Sequence, residues 1–377
     1  MIYYDNSATT RPCDEVRDLV TEQLASDLFG NPGSLHKLGV AADKEYKRVT
    51  ASVASILGAK PDEIFFTSCG SESANTAIRG FVSRNKRSGS KIISTRTEHK
   101  ATLEVLSLLE KEGYEVVYIS VGRDGKPDLD QIRENIADCS LMCFTHVNNE
   151  TGAILPLEDI VSIRNTLNRK CAIYLDCVQS LGKLAIDLGK MGVEMASFSG
   201  HKIHGIKGVG VLYVKNNTRI DPLILGGGQQ KGMRSGTESL LLASSFEAAL
   251  SAAVKAREEA YKNIREINSY LRDELAKRGN IILSPDDALP FVLNCSFRGF
   301  QSETMLHCLE IYDIFVSTVS ACSSKAKKVS YVLLEYGIDR MIASNAVRLS
   351  FSRENTMEEA EEFIKTVDEI YAKYLVG

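Results

Sequence analysis

The stretch Ser197-Phe198-Ser199-Gly200-His201-Lys202 sets a lysine directly behind a short turn rich in hydroxyl, imidazole and glycine. A lysine kept from water loses basicity, and its neutral amine attacks a carbonyl carbon to form a Schiff base. Small donors and glycine beside it let the backbone approach a phosphate. Together these residue types suit an aldehyde that carries a phosphate, the chemistry of pyridoxal phosphate. The lysine alone is weak grounds, because the chain holds 45 Lys and Arg and most lysines are solvated. Its expected partners give it weight.

Asp176 is the first of them, at the end of the apolar run Ala172-Ile173-Tyr174-Leu175. Such a run reads as a buried parallel strand, and open α/β sheets place their ligands beyond the carboxyl ends of those strands. An anionic carboxylate there can hold a pyridine nitrogen protonated, which makes the ring an electron sink. Gln179, one turn further, can donate to the ring's phenolate oxygen. A predicted strand from Met195 to Ser199 separates Asp176 from Lys202 and brings both to the same sheet edge. Cys69-Gly70-Ser71-Glu72-Ser73 leaves another predicted strand and opens a helix, whose free N–H groups and dipole favour a phosphate.

The elements that must position these residues alternate along the chain. Glu63 to Thr67, Lys91 to Ser94, Glu115 to Ser120, Leu141 to Val147, Ala172 to Val178, Met195 to Ser199 and Gly210 to Val214 read as strands. Helical patterns lie between them, as at Lys100 to Glu112 and Leu129 to Ile136. Alternation of this kind predicts an α/β fold with a mostly parallel seven-stranded sheet and helices on both faces. An amphipathic run follows, with Phe246, Leu250, Val254, Tyr261, Ile264, Ile267, Leu271 and Leu275 at helical spacing, closed by Gly279. It reads as the helix joining a large domain, 13–255, to a smaller α+β domain made of 1–12 and 256–377. That smaller domain holds predicted strands at Phe291 to Phe297, Ile314 to Ser317 and Val347 to Phe351, and a helix from Met357.

Composition narrows the class. A chain of 377 residues with 44% hydrophobic and 25% charged residues has ample core for two domains. The net charge of −4 provides no basic field for nucleic acid. No signal-like N-terminus or membrane-length apolar run is visible, so a cytoplasmic protein without membrane attachment is expected. Nine cysteines without a Cys-x-x-Cys pair then read as thiols, not as disulfides or a metal site. Cys322 differs from the rest because it lies in the polar run Ser317-Thr318-Val319-Ser320-Ala321-Cys322-Ser323-Ser324, which suits an exposed thiol.

The chain resembles the NifS/IscS-type cysteine desulfurases, fold-type I pyridoxal phosphate enzymes of the class V aminotransferase family. The matching segments run along nearly its whole length: Tyr4-Asp5-Asn6-Ser7-Ala8-Thr9-Thr10, Phe29-Gly30-Asn31-Pro32, Thr97-Glu98-His99-Lys100, His146-Val147-Asn148-Asn149-Glu150, the Asp176 strand, Ser199-Gly200-His201-Lys202, Gly232-Met233-Arg234-Ser235-Gly236-Thr237, Ser320-Ala321-Cys322 and Val347-Arg348-Leu349-Ser350. The resemblance implies pyridoxal 5'-phosphate on Lys202, with Gly70, Ser71, Ser199 and His201 at its phosphate. It implies that His99 stacks over the ring and moves protons, and that Asn149 bonds the substrate or a ring oxygen. Thr237 would reach the phosphate of a neighbouring subunit, hence a homodimer. Arg348 suits the substrate carboxylate, for which a guanidinium fork is well shaped.

The activity so implied takes sulfur from L-cysteine, leaving L-alanine and a persulfide on Cys322, which passes to a protein acceptor such as an iron–sulfur scaffold or a thiolation enzyme. Selenocysteine cleavage or transamination on the same scaffold is the alternative, and the Cys322 loop argues against transamination. The chain departs from the family pattern at Val319, where glycine is usual before Ser-Ala-Cys, at Cys69-Gly70-Ser71, where Gly-Ala-Thr is usual, and at Cys177, where alanine is typical. Lys325, Lys327 and Lys328 follow Cys322 and either favour its thiolate or dock an acidic partner.

Overall fold

A computed structural model describes residues 1–87, 89–318 and 329–375. Cys322, Val319 and the three lysines after Cys322 lie outside the described residues.

Seven strands form the main sheet in the order Ile64–Thr67, Gly210–Val214, Met195–Ser199, Ala172–Asp176, Cys139–Thr145, Lys91–Thr95, Glu115–Ile119. Gly210–Val214 runs antiparallel to both its neighbours, and the other pairings are parallel. The register sets Asp176 between Thr145 on one side and Ser197 on the other. Alternate residues of single strands enter different cores. Ile173, Leu175, Met142, Phe144 and Phe198 join one apolar cluster, whereas Ala172, Tyr174, Leu141, Cys143 and Met195 join another. A period of two with apolar residues on both sides means a sheet covered on both faces, as the sequence pattern predicts.

Ala74, Ala77, Ile78 and Phe81 of the helix Gly70–Arg84 pack with Val105, Leu106 and Leu109 of Lys100–Lys111 on one face. Val49 and Val53 of Lys37–Ile56 and Ile160 and Ile163 of Leu157–Leu167 pack on the other. The long helix spans Leu240–Lys277, 38 residues and so about 57 Å. It starts earlier than the apolar stripe predicts: the Ser239 hydroxyl caps it by accepting from the Leu242 N–H at 3.3 Å. Phe246 and Leu250 belong to the sheet core, while Ile264, Ile267, Leu271 and Leu275 belong to a third cluster around the smaller sheets.

Those smaller sheets hold the N-terminal residues. Ile2–Tyr3 pairs in parallel with Ile314–Phe315, and Asp5 forms a bridge with Ser350. The predicted strand Ile314 to Ser317 is two strands. Ile314–Phe315 takes the N-terminus as partner, whereas Ser317–Thr318 runs antiparallel to Ala346–Ser350. One apolar run therefore serves two sheets, because its backbone changes partner at Val316.

Candidate active site

The carboxyl ends of the parallel strands converge on a cavity of about 270 Å³. Gly70, Ser71, His99, Asn149, Asp176, Gln179, Ser199, His201 and Lys202 line it, each of them expected from sequence. Ser7, Cys69, Ala101, Thr145 and Val178 complete the wall. A larger groove of about 1460 Å³ runs along the Leu157–Leu167 helix, but none of the chemical residues faces it. Volume alone would have picked the wrong place.

Lys202 leaves the Met195–Ser199 strand through one short 3-10 turn, Gly200–Lys202. Its Nζ donates to the carbonyls of Ser7 at 2.5 Å and Ala8 at 2.7 Å. Burial is the main force on its basicity and Arg348 adds to it, while Asp5 and Asp176 oppose. The result is a pKa pushed down to about 8. An ordinary lysine is almost wholly protonated at neutral pH, whereas this one has a usable neutral fraction for attack on a carbonyl.

The opposite end of the cavity suits an anion. The helix Gly70–Arg84 begins there with no side-chain cap, so its first N–H groups are open to a ligand. A side chain at Gly70 would come within 2.9 Å of Val178 Cγ2. The Ser199 hydroxyl is buried and has no partner among the described residues. Burial, then Lys202 and Lys207, push His201 down to about 4, so it stands as a neutral imidazole whose Nδ1 lies 3.2 Å from the Thr9 hydroxyl. An orphaned hydroxyl, an uncapped helix start and a glycine with no room for a methyl group fit the phosphate of pyridoxal phosphate, next to a lysine of lowered basicity.

Between these ends stand the groups that would meet the ring. Asp176 is buried, and burial raises its carboxyl above the usual range, although His99, the Val178 N–H at 2.9 Å and Lys202 all pull the other way. His99 is the N-cap of Lys100–Lys111, its Nδ1 accepting from the Ala101 N–H at 3.1 Å. With Nδ1 so used, the neutral ring carries its proton on Nε2. Behind them Glu98 accepts from the hydroxyls of Thr95 at 2.7 Å and Thr145 at 2.6 Å. Burial and the charge of Asp176 push its carboxyl up to about 7 against those hydrogen bonds.

Arg348 does not line the cavity wall, yet it acts on Lys202 electrostatically and bonds the Asn149 carbonyl at 3.0 Å. Thr237 is exposed and stands apart from the cavity. Sequence reasoning missed Asp5, Ser7, Glu98, Thr145 and Lys183. Asp5, Ser7 and Glu98 fall inside segments that carry the family resemblance, which was their available signal. Nothing in the local pattern marks Thr145 or Lys183. His204 pairs with the Arg11 carbonyl, and His36 caps a helix.

Residues 2–363 match the family described as Aminotransferase class-V. The chain is 39% identical to a NifS/IcsS protein homolog of Lactobacillus delbrueckii subsp. bulgaricus, over 99% of this chain and 98% of that one. It is 34% identical to the cysteine desulfurase IscS of Methanosarcina thermophila, over 99% and 92% of the two chains. A solved NifS-like protein superposes with a TM-score of 0.94 at 36% identity, covering 99% of each chain. With its sheet order, its lysine turn and its relatives in agreement, the chain belongs to the class V aminotransferase family and, within it, to the NifS/IscS-type cysteine desulfurases.

Proposed function

We propose that this chain carries out the pyridoxal phosphate-dependent cysteine desulfurase reaction of its family with Lys202 as the cofactor's anchor and Cys322 as the acceptor of sulfur. The observation that carries the reading is the shared cavity: Lys202 of lowered basicity, the Asp176 carboxylate and the orphaned Ser199 hydroxyl all face it. Bound there, pyridoxal phosphate supplies the electron sink that labilises the substrate's α-carbon bonds. Gly70, Ser71, Ser199 and His201 hold the phosphate, Asp176 the ring nitrogen and Gln179 the ring oxygen. His99, with its proton on Nε2, and the Lys202 amine exchange protons with L-cysteine, while Arg348 and Asn149 fix the substrate. The Cys322 thiolate takes the sulfur as a persulfide, and L-alanine leaves.

Thr237 serves the phosphate of a second copy, in a homodimer. Its exposure supports this, as do the apolar side chains left open on the same connection: Leu225 is 80% exposed, with Leu223 and Ile224 beside it. The persulfide passes to a protein acceptor, an iron–sulfur scaffold or a thiolation enzyme. All eight cysteines among the described residues are free, which supports a cytoplasmic setting. The two apolar clusters met by the long helix support a division into 13–255 and a smaller unit of 1–12 and 256–377.

The deciding experiment is Cys322→Ala. The variant still changes the cofactor's visible spectrum on adding cysteine but releases almost no sulfide, because the thiol acts after the substrate is activated. Near-normal sulfide release overturns the assignment.

A further inference from the structure

Gln179 is held at both ends of its carboxamide. Nε2 donates to the Ser7 carbonyl at 3.0 Å, and Oε1 accepts from Lys183 Nζ at 3.1 Å. A carbonyl can only accept, and an ammonium can only donate. Turning the amide over would set Oε1 against the Ser7 oxygen and, with Lys183 protonated, Nε2 against its ammonium, repulsive contacts in place of hydrogen bonds. Most amides can be drawn either way round. This one has a single orientation, set by the Ser7 carbonyl and reinforced by the Lys183 ammonium.

Lys183 is itself out of place by the ordinary rules of burial. The residue is half-buried as a whole, with its amine packed inward over the Phe291 ring, 5.9 Å from the centroid. It shares a small cavity of about 30 Å³ with Lys202, His204 and Arg353. Burial, then the positive charges of Lys202 and Arg348, push it down to about 7. An inward amine among cations costs stability, and a methionine there would fill similar space without that cost. A group kept against its own stability is expected to serve the site.

We propose that Lys183 is a positioning residue that locks the Gln179 carboxamide, so that the cofactor's ring oxygen meets an N–H donor and never the amide oxygen. The inference rests on pyridoxal phosphate occupying this cavity. Gln179 lines that cavity and Lys183 acts from behind it. One hydrogen of Nε2 goes to Ser7 and the other is free for the ligand. A donor at that oxygen favours its ionised form and hence the visible absorption band.

The test compares wild type, Lys183→Met, Gln179→Leu and the double variant, each stripped of cofactor and titrated with pyridoxal phosphate. Lys183→Met is expected to melt no lower than wild type. It should bind pyridoxal phosphate about tenfold more weakly, the worth of one hydrogen bond, and shift absorbance from the visible to the near-ultraviolet band. Gln179→Leu should do the same, and the double variant should add nothing, since both break one unit. Wild-type bands and affinity in Lys183→Met overturn the proposal, as do additive effects in the double variant. If Lys183→Met does not fold, a Gln179→Leu protein with wild-type bands overturns it equally. Wild-type protein that takes up no pyridoxal phosphate overturns the reading of the whole cavity and this proposal with it.

Discussion

Arg348 donates from Nη2 to the Asp5 carboxylate, 2.9 Å away, joining the Ala346–Ser350 strand to the N-terminal segment. Nη1 takes the Asn149 carbonyl, and Nε is buried without a partner among the described residues. A guanidinium so fixed is a rigid fork held by two protein oxygens, with its buried Nε–H unmet among the described residues. It also raises the local positive potential that lowers the basicity of Lys202.

Arg348→Lys keeps the charge and loses the fork. The KM for cysteine is expected to rise about tenfold to a hundredfold, with pyridoxal phosphate affinity nearly unchanged. Steady-state kinetics beside a cofactor titration check this. An unchanged KM removes Arg348 from the substrate site.

Lys202 sets a pH dependence of cofactor uptake. Below its pKa of about 8 the amine is protonated and cannot attack an aldehyde, so the rate at which cofactor-free protein takes up pyridoxal phosphate should rise with pH through about 8. Asp176→Asn removes a charge that holds this pKa up, so the midpoint should move to lower pH. Stopped-flow absorbance across pH 6 to 10 measures both. A midpoint that stays put in the variant means Asp176 does not act on the lysine.

Glu98 binds its proton more tightly in the folded chain than in the unfolded one, its pKa standing at about 7. Its contribution to stability is therefore fully present below the unfolded value near 4.5 and is lost as pH rises through about 7, by up to roughly 3 kcal/mol. Glu98→Gln keeps a neutral group of the same shape. The difference in Tm between variant and wild type should thus grow in the variant's favour from pH 5 to pH 8. Parallel Tm profiles would place the ionisation elsewhere.

Gly70→Ala puts a methyl group within 2.9 Å of Val178 Cγ2 at the uncapped helix start. Ser199→Ala removes an orphaned hydroxyl and nothing that holds the fold. Both should weaken pyridoxal phosphate binding by about tenfold or more, but only Gly70→Ala should lower the Tm of the cofactor-free protein. Competition by inorganic phosphate should weaken in parallel. A Ser199→Ala protein with wild-type affinity would take the hydroxyl out of the phosphate site.

The local pattern of the chain sufficed for the seven main strands and the lysine turn. An apolar run that feeds a buried parallel strand and stops at Asp176, or at Ser199 before Lys202, records both the strand and its chemical end within a few residues. Tertiary structure alone decided what meets those ends. Ser7 and Ala8 hold the Lys202 amine from across 194 residues and more of chain, and Asp5 reaches Arg348 across 343. Glu98 is buried because the Cys139–Thr145 strand lies beside the Lys91–Thr95 strand that leads into its bend, and Lys183 is stranded among cations because Arg348 arrives from a distant strand. Periodicity reports which face of an element is apolar. It carries no record of which other element will cover that face, and burial and charge at this site follow from the covering.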